Sequence, residues 1–91
     1  MKIFSEEMIQ CAGERAFFKR LVEKLADLEH EQWMHWSKAV ADEVSPERRK
    51  RWEKYWIPYK ELPEDVKEAD REWARRVLEV ISNELRDFQR Y

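Results

Sequence analysis

The stretch "LEHEQWMHW" at residues 28–36 gathers two histidines, two glutamates and two tryptophans within nine positions. Histidine beside carboxylates is the material of metal and acid–base sites, and a zinc-protease helix carries such residues. Its histidines must lie four apart, because four steps of about 100° bring both rings to one face. His30 and His35 are five apart, roughly 140° around a regular helix. They do not converge on one ion, and Cys11 adds no recognisable ligand spacing, so no metal site is expected. His30, Trp33 and Ser37 do share a face, with Met34 beside them. That face is either the rim of a pocket or a core tryptophan next to a boundary histidine satisfied by a carboxylate. His35 points elsewhere and is expected at the surface.

A second candidate is "ERRKRWEKYW" at residues 47–56, where cations alternate with rings. Nucleic-acid and nucleotide sites combine these types, since cations meet phosphate while rings stack on bases. The plainer account is a solvated basic helix face with its tryptophan side buried. Four consecutive cations circle more than one face, so at most two, Arg51 and a neighbour such as Arg48, can aim at one ligand. In "KEADREWARR" at residues 67–76, Lys67, Asp70 and Arg71 lie on adjacent turns. Ion pairing within the helix explains them, at tenths of a kcal/mol per pair. No serine has a histidine and an aspartate at a recognisable catalytic spacing, and a single glycine rules out a glycine-rich phosphate loop. No catalytic residue is assigned, and no cofactor is implied.

The elements that must position these residues are helical. Hydrophobic residues make up 43% and charged residues 42% of the 91, with one Gly and three Pro, which leaves little material for hairpins. A chain this short forms a single domain, residues 1–91, and buries only about two-thirds of its unfolded surface. The longest uncharged run, residues 8–13, is too short to span a bilayer, and the acidic N-terminus is unlike a signal peptide. The expectation is a cytoplasmic protein with no membrane partner, and one cysteine agrees with a reducing compartment. The net charge of −2 hides a pattern. Residues 1–44 carry 6 basic and 9 acidic side chains, residues 45–60 carry 6 and 2, and residues 61–91 carry 6 and 9. A +4 segment between two of −3 suits a compact anion better than a long polyanion, which would also meet the flanking carboxylates, and so disfavours nucleic acid.

Ser5 with Glu6 and Glu7 reads as a helix start, and Gly13 as a bend or interruption. From Glu14, the residues Phe18, Leu21, Leu25, Leu28, Trp36 and Val40 recur at helical spacing, predicting a long helix to about Glu43 with that row on its buried face. "SPER" at residues 45–48 opens a short helix to about Tyr55, with Trp52 and Trp56 on one side. Pro58 pushes Ile57 out of helical conformation, so residues 57–62 form an extended connector whose Ile57, Tyr59 and Leu62 tuck onto the helices. Pro63, Glu64 and Asp65 open a last long helix with Val66, Trp73, Val77, Ile81, Leu85 and Phe88 as its apolar row. The predicted fold is all-α: a small bundle of two long antiparallel helices and one or two short ones.

Two segments together resemble the RyR domain, the repeat named after ryanodine receptors and also found in small bacterial and phage proteins. The first is "LADLEHEQW" at residues 25–33, similar to the family's Leu-Ala-Glu followed by His-x-x-Trp. The second is "WIPYKELPEDVKEADREWARRVLEVI" at residues 56–81, similar to its Pro-Tyr-x-x-Leu-x-x-x-x-Lys-x-x-Asp-Arg run and the following helix. The family's Gly-Trp-x-x-Gly stretch is replaced by the glycine-free "VADEVSPERRKRW". The resemblance implies structural signature roles for Pro58, Leu62 and Asp70. It also implies a non-enzymatic module for a small anionic, nucleotide-type ligand such as an ADP-ribose derivative or a cyclic nucleotide, serving sensing or sequestration. Arg51, Lys67 and Arg71 would meet phosphate or carboxylate, Trp33, Trp56 or Tyr59 would stack on a base, and His30 would reach a ribose. The alternative, from five tryptophans in so short a chain, is a helical interaction or homo-oligomerisation module with a Trp-rich contact surface.

Overall fold

A computed structural model describes residues 12–89; the helix start expected at Ser5, and Cys11, lie outside them. Three helices and two short 3-10 turns follow one another: α1 at Ala12–Ala39, a turn at Ala41–Glu43, α2 at Pro46–Glu53, a turn at Tyr59–Glu61, and α3 at Glu64–Gln89. Among the described residues there is no strand, and the expected all-α fold is the one observed. α1 passes through Gly13 without interruption.

Local chemistry sets most of the boundaries. α1 closes at Ala39, four residues before the expected end, because Val40 (φ −105°, ψ 10°) leaves helical geometry and the backbone tightens into the Ala41–Glu43 turn. Val44 is extended, and Ser45 caps α2 by accepting a hydrogen bond from the Arg48 amide at 3.2 Å, with Pro46 following at the first helical position. α2 ends at Glu53, and the chain turns through Lys54 and Tyr55. Trp52 and Trp56 therefore part. Trp52 lies edge-on to Trp33 and tilted over Trp36, with ring centroids 6.1 and 5.5 Å away, which fastens α2 to the end of α1. Pro58 and Leu62 are extended on either side of the second turn. As expected, Tyr59 and Leu62 are buried by the connector and Ile57 packs against them.

α1 and α3 run antiparallel and form the main contact, with Val22, Ala26, Ala74 and Leu78 between them and Tyr59 and Leu62 closing one end. Ala26 and Ala74 are fully enclosed, so the two backbones approach closely where they cross. This overturns the predicted apolar rows. Phe18, Leu21, Leu25 and Val66 sit at the core's edge, but Leu28, Trp36, Trp73, Val77, Ile81, Leu85 and Phe88 are exposed. The buried row is rotated by about one position, to Val22, Ala26, His30 and Ser37 on α1 and Ala74 and Leu78 on α3. The cause is that small and polar side chains occupy the tight crossing, their polar atoms satisfied internally. Larger apolar residues are left on the flank. No described helix is long and apolar enough to cross a membrane.

Candidate functional site

His30, Trp33, Ile57 and Asp70 meet where α1, the connector and α3 come together. His30 is buried, and its Nε2–H donates to the Ile57 carbonyl at 2.7 Å, which fixes the proton on that nitrogen because a carbonyl only accepts. Its Nδ1 faces the Asp70 carboxylate at 4.0 Å, and its ring stacks on Trp33 at 5.8 Å, one helical turn away. Burial pushes the Asp70 carboxyl above its ordinary value, opposed by His30 and reinforced by Glu29. Nearby, Ser37 donates to the Met34 carbonyl and accepts from the Trp56 indole N–H at 3.0 Å, which pins the start of the connector to α1.

A second cluster is organised by Glu23. One oxygen accepts from the Tyr59 hydroxyl at 2.9 Å and the other from Arg71 Nε, whose Nη1 also reaches Glu64 at 3.0 Å. Lys67 stands over the Tyr59 ring at 5.6 Å and contacts Glu64. These bonds hold the Arg71 guanidinium still more firmly protonated, and they hold the Glu64 carboxyl below its ordinary value. Desolvation, followed by the neighbouring Glu23, raises Tyr59 from an ordinary 10.0 to about 12. A folded value above the unfolded one favours the protonated fold: this contribution is complete below pH 10.0 and lost as pH rises towards about 12. In an alkaline titration followed by tyrosinate absorbance, one of the three tyrosines is expected to ionise near 12, and Tyr59→Phe to remove that phase. Loss of a phase near 10 instead would show that the hydroxyl is solvated.

Every buried side-chain nitrogen and oxygen among the described residues has a hydrogen-bond partner, so the interior leaves no polar group aimed at a ligand. Most of the expected ligand set is already engaged with neighbouring side chains. His30 is only 2% exposed and spends its ring bonding the connector, so it belongs to the framework. Trp33 is held between His30 and Trp52, and Trp56 by Ser37. Arg51 is exposed on α2, away from the rest, and Lys67 is engaged with Tyr59 and Glu64. Arg71 ties α3 to α1 through Glu23, Asp70 faces His30 across the same joint, Leu62 closes the core and Pro58 shapes the connector. His35 is exposed, as expected. In the basic helix, Trp52 turns towards α1 while Arg48, Lys50 and Arg51 face solvent; just beyond it, Lys54 lies over the Tyr55 ring at 5.7 Å and Lys38 over the Trp56 ring at 5.8 Å.

Among the described residues, two grooves lie next to these clusters. One, of about 540 Å³, runs between α1 and α3 on the Arg71 side. Phe18 and Val22 form its floor, Arg15, Lys19, Arg71 and Arg75 its cationic rim, with Glu23 and Glu68 among them. Counting Glu64, which also pairs with Arg71, the rim's four cations exceed its carboxylates by one, and its size lies within the range of small-molecule sites. The other, about 650 Å³, lies between α1 and the connector, where Asp27 and Glu31 balance Lys38 and Lys60 beside Trp56 and Tyr59. The seven expected ligand residues therefore do not line one cavity: Arg71 faces the first groove, and Trp56 and Tyr59 the second. Sequence reasoning missed Arg15, Lys19, Glu23, Glu68 and Arg75. Their signal was the i, i+4, i+8 spacing of 15, 19 and 23 and the i, i+3, i+7 spacing of 68, 71 and 75, each placing charge on one helix face.

Comparison of the chain with family models, curated proteins and solved structures gives no match.

Proposed function

We propose that the chain is a non-enzymatic, RyR-like binding domain that takes a small anionic, nucleotide-type ligand in the α1/α3 groove, for sensing or sequestration. The observation that carries the reading is the groove's make-up, an apolar floor under a rim with net positive charge. Arg71 belongs both to that rim and to the cluster fixed by Tyr59 and Glu23. Of the residues carried by the resemblance only Arg71 lines this groove, steadied by Glu23, which also holds the Tyr59 hydroxyl; Lys19, Arg71 and Arg75 meet the phosphates and Phe18 offers a ring face. Arg75 is paired with Glu68 at 2.8 Å, with both side chains about half exposed. Such surface pairs contribute only about 0–1 kcal/mol, so a phosphate displaces the carboxylate at little cost.

The test is calorimetric titration of the full-length chain with ADP-ribose, its cyclic forms, NAD and cyclic dinucleotides. Saturable binding by one of them is expected, weakened at least tenfold in Lys19→Glu combined with Arg75→Glu, whose thermal stability should be near that of the parent. Absence of binding across the set, or binding indifferent to both charge reversals, contradicts the reading. A second reading, a helical interaction module, is favoured by one separate observation: the apolar residues left exposed on the other side of the helix pair.

A further inference from the structure

The groove between α1 and the connector has no part in the anion site. On α1, Asp27, Glu31, Met34 and Lys38 stand at i, i+4, i+7 and i+11 and so share one face, and the facing wall is the run from Trp56 to Lys60. That wall is fixed at three points. The Trp56 indole N–H donates to Ser37 at 3.0 Å, the Ile57 carbonyl accepts from His30 at 2.7 Å, and the Tyr59 hydroxyl donates to Glu23 at 2.9 Å. The groove is therefore preformed, and its 650 Å³ or so lie within the range of small-ligand sites. Two carboxylates and two ammonium groups line it, and none of the four has a hydrogen-bond or ion-pair partner among the described residues.

These charges are separated along the groove. The Lys38 ammonium is held at one end, over the Trp56 ring at 5.8 Å. A rise of about 1.5 Å per residue puts Glu31 about 10 Å and Asp27 about 16 Å from it along α1. Between them lies an apolar strip, with Met34 from α1 and Ile57 and Pro58 from the connector. Lys60 brings the groove to neutrality, so it holds no attraction for a polyanion; even counted wholly with Asp27 and Glu31, it leaves that end in negative excess. A single amino acid carries its two charges too close together to reach both ends. An extended chain advances about 3.3 Å per residue, so two or three residues cover the gap that remains once the lining side chains reach inwards. We propose that this groove binds a short linear peptide with free ends, its ammonium on Asp27 and Glu31, its carboxylate on Lys38, and its middle side chain on the strip formed by Met34 and Pro58.

NMR titration of the full chain with Ala-Ala-Ala, Ala-Leu-Ala and Ala-Phe-Ala reads this directly. Saturable shifts are expected at the amides of Glu31, Met34 and Lys38 and at the Trp56 indole N–H, half-complete at roughly 1 mM or below for at least one peptide. N-acetylating or C-amidating that peptide should weaken binding tenfold or more. Asp27→Asn combined with Glu31→Gln should weaken the free peptide by a similar factor and then bind the free and acetylated forms alike. Both side chains are exposed, so helix content by circular dichroism should match the parent. If it does not, Lys38→Gln, expected to bind the free and amidated forms alike, takes the place of that variant. No saturation by any of the three peptides up to about 10 mM overturns the proposal. Equal binding of free and capped peptides overturns it too, and would give the groove to an internal segment of a longer chain. Shifts confined to Arg71 and Arg75 would place the peptide in the other groove and do the same. None of these outcomes bears on ADP-ribose binding, which is measured separately.

Discussion

Tyr59→Ala is expected to lower unfolding free energy by about 3–5 kcal/mol, the range for removing a buried aromatic ring. A chain of this length holds roughly 5–10 kcal/mol in total, so the variant should be largely melted at moderate urea. The size of the effect follows from position. The ring is buried in the core between α1 and α3, carries the Lys67 ammonium on its face, and sends its hydroxyl to Glu23 on α1. One side chain therefore joins both long helices to the connector. Tyr59→Phe keeps the packing and loses only the hydrogen bond, and half-exposed Glu23 can take up water in exchange, so its cost is about 1 kcal/mol. Urea unfolding at constant m-value separates the two. Equal losses in Phe and Ala would mean that the hydroxyl, and not the ring, holds the connector.

His30→Ala is the second large effect, about 2–4 kcal/mol, from a lost ring and a carbonyl left without its donor. The Ile57 carbonyl sits where the chain turns into the Pro58 connector, and the His30 ring also supports Trp33 and faces Asp70. Removing it leaves Asp70 half-buried without its facing ring. His35→Ala, at an exposed position on the same helix, is the control and should fall within about 0.5 kcal/mol of the parent. Comparable losses in the two variants would remove the framework role assigned to His30.

The contrast between the two histidines shows what could be read from residues alone. Helical rotation alone separates them, and Ser45-Pro46 and Pro58 mark the boundaries of α2 and the connector because capping and proline act locally. Periodicity found the long helices but mistook their buried face. A hydropathy pattern ranks Leu28 and Trp36 above Ala26, His30 and Ser37, yet a close helix crossing selects for size, and His30 and Ser37 enter the core because Ile57, Met34 and Trp56 satisfy them. That dependence is long-range. The partners stand up to 27 residues away in sequence, and no local rule pairs them. The groove was hidden for the same reason: Arg15 and Lys19 look like ordinary helix surface until α3 brings Arg71 and Arg75 beside them. Arg71 joins α3 to α1 through Glu23, a partner 48 residues away that no local pattern pairs with it.

In the proposed reading the α1/α3 groove binds an anion at Lys19, Arg71 and Arg75, and of the seven residues first expected at a ligand only Arg71 meets it. Amide NMR titration of the full-length chain with ADP-ribose tests it most directly, because it reports location as well as binding. The account predicts saturable shifts grouped at Arg15, Lys19, Val22, Arg71 and Arg75, with Trp56 and Lys60 little changed. Shifts grouped instead around Lys38, Trp56 and Lys60, or no saturable shifts at all, would contradict it.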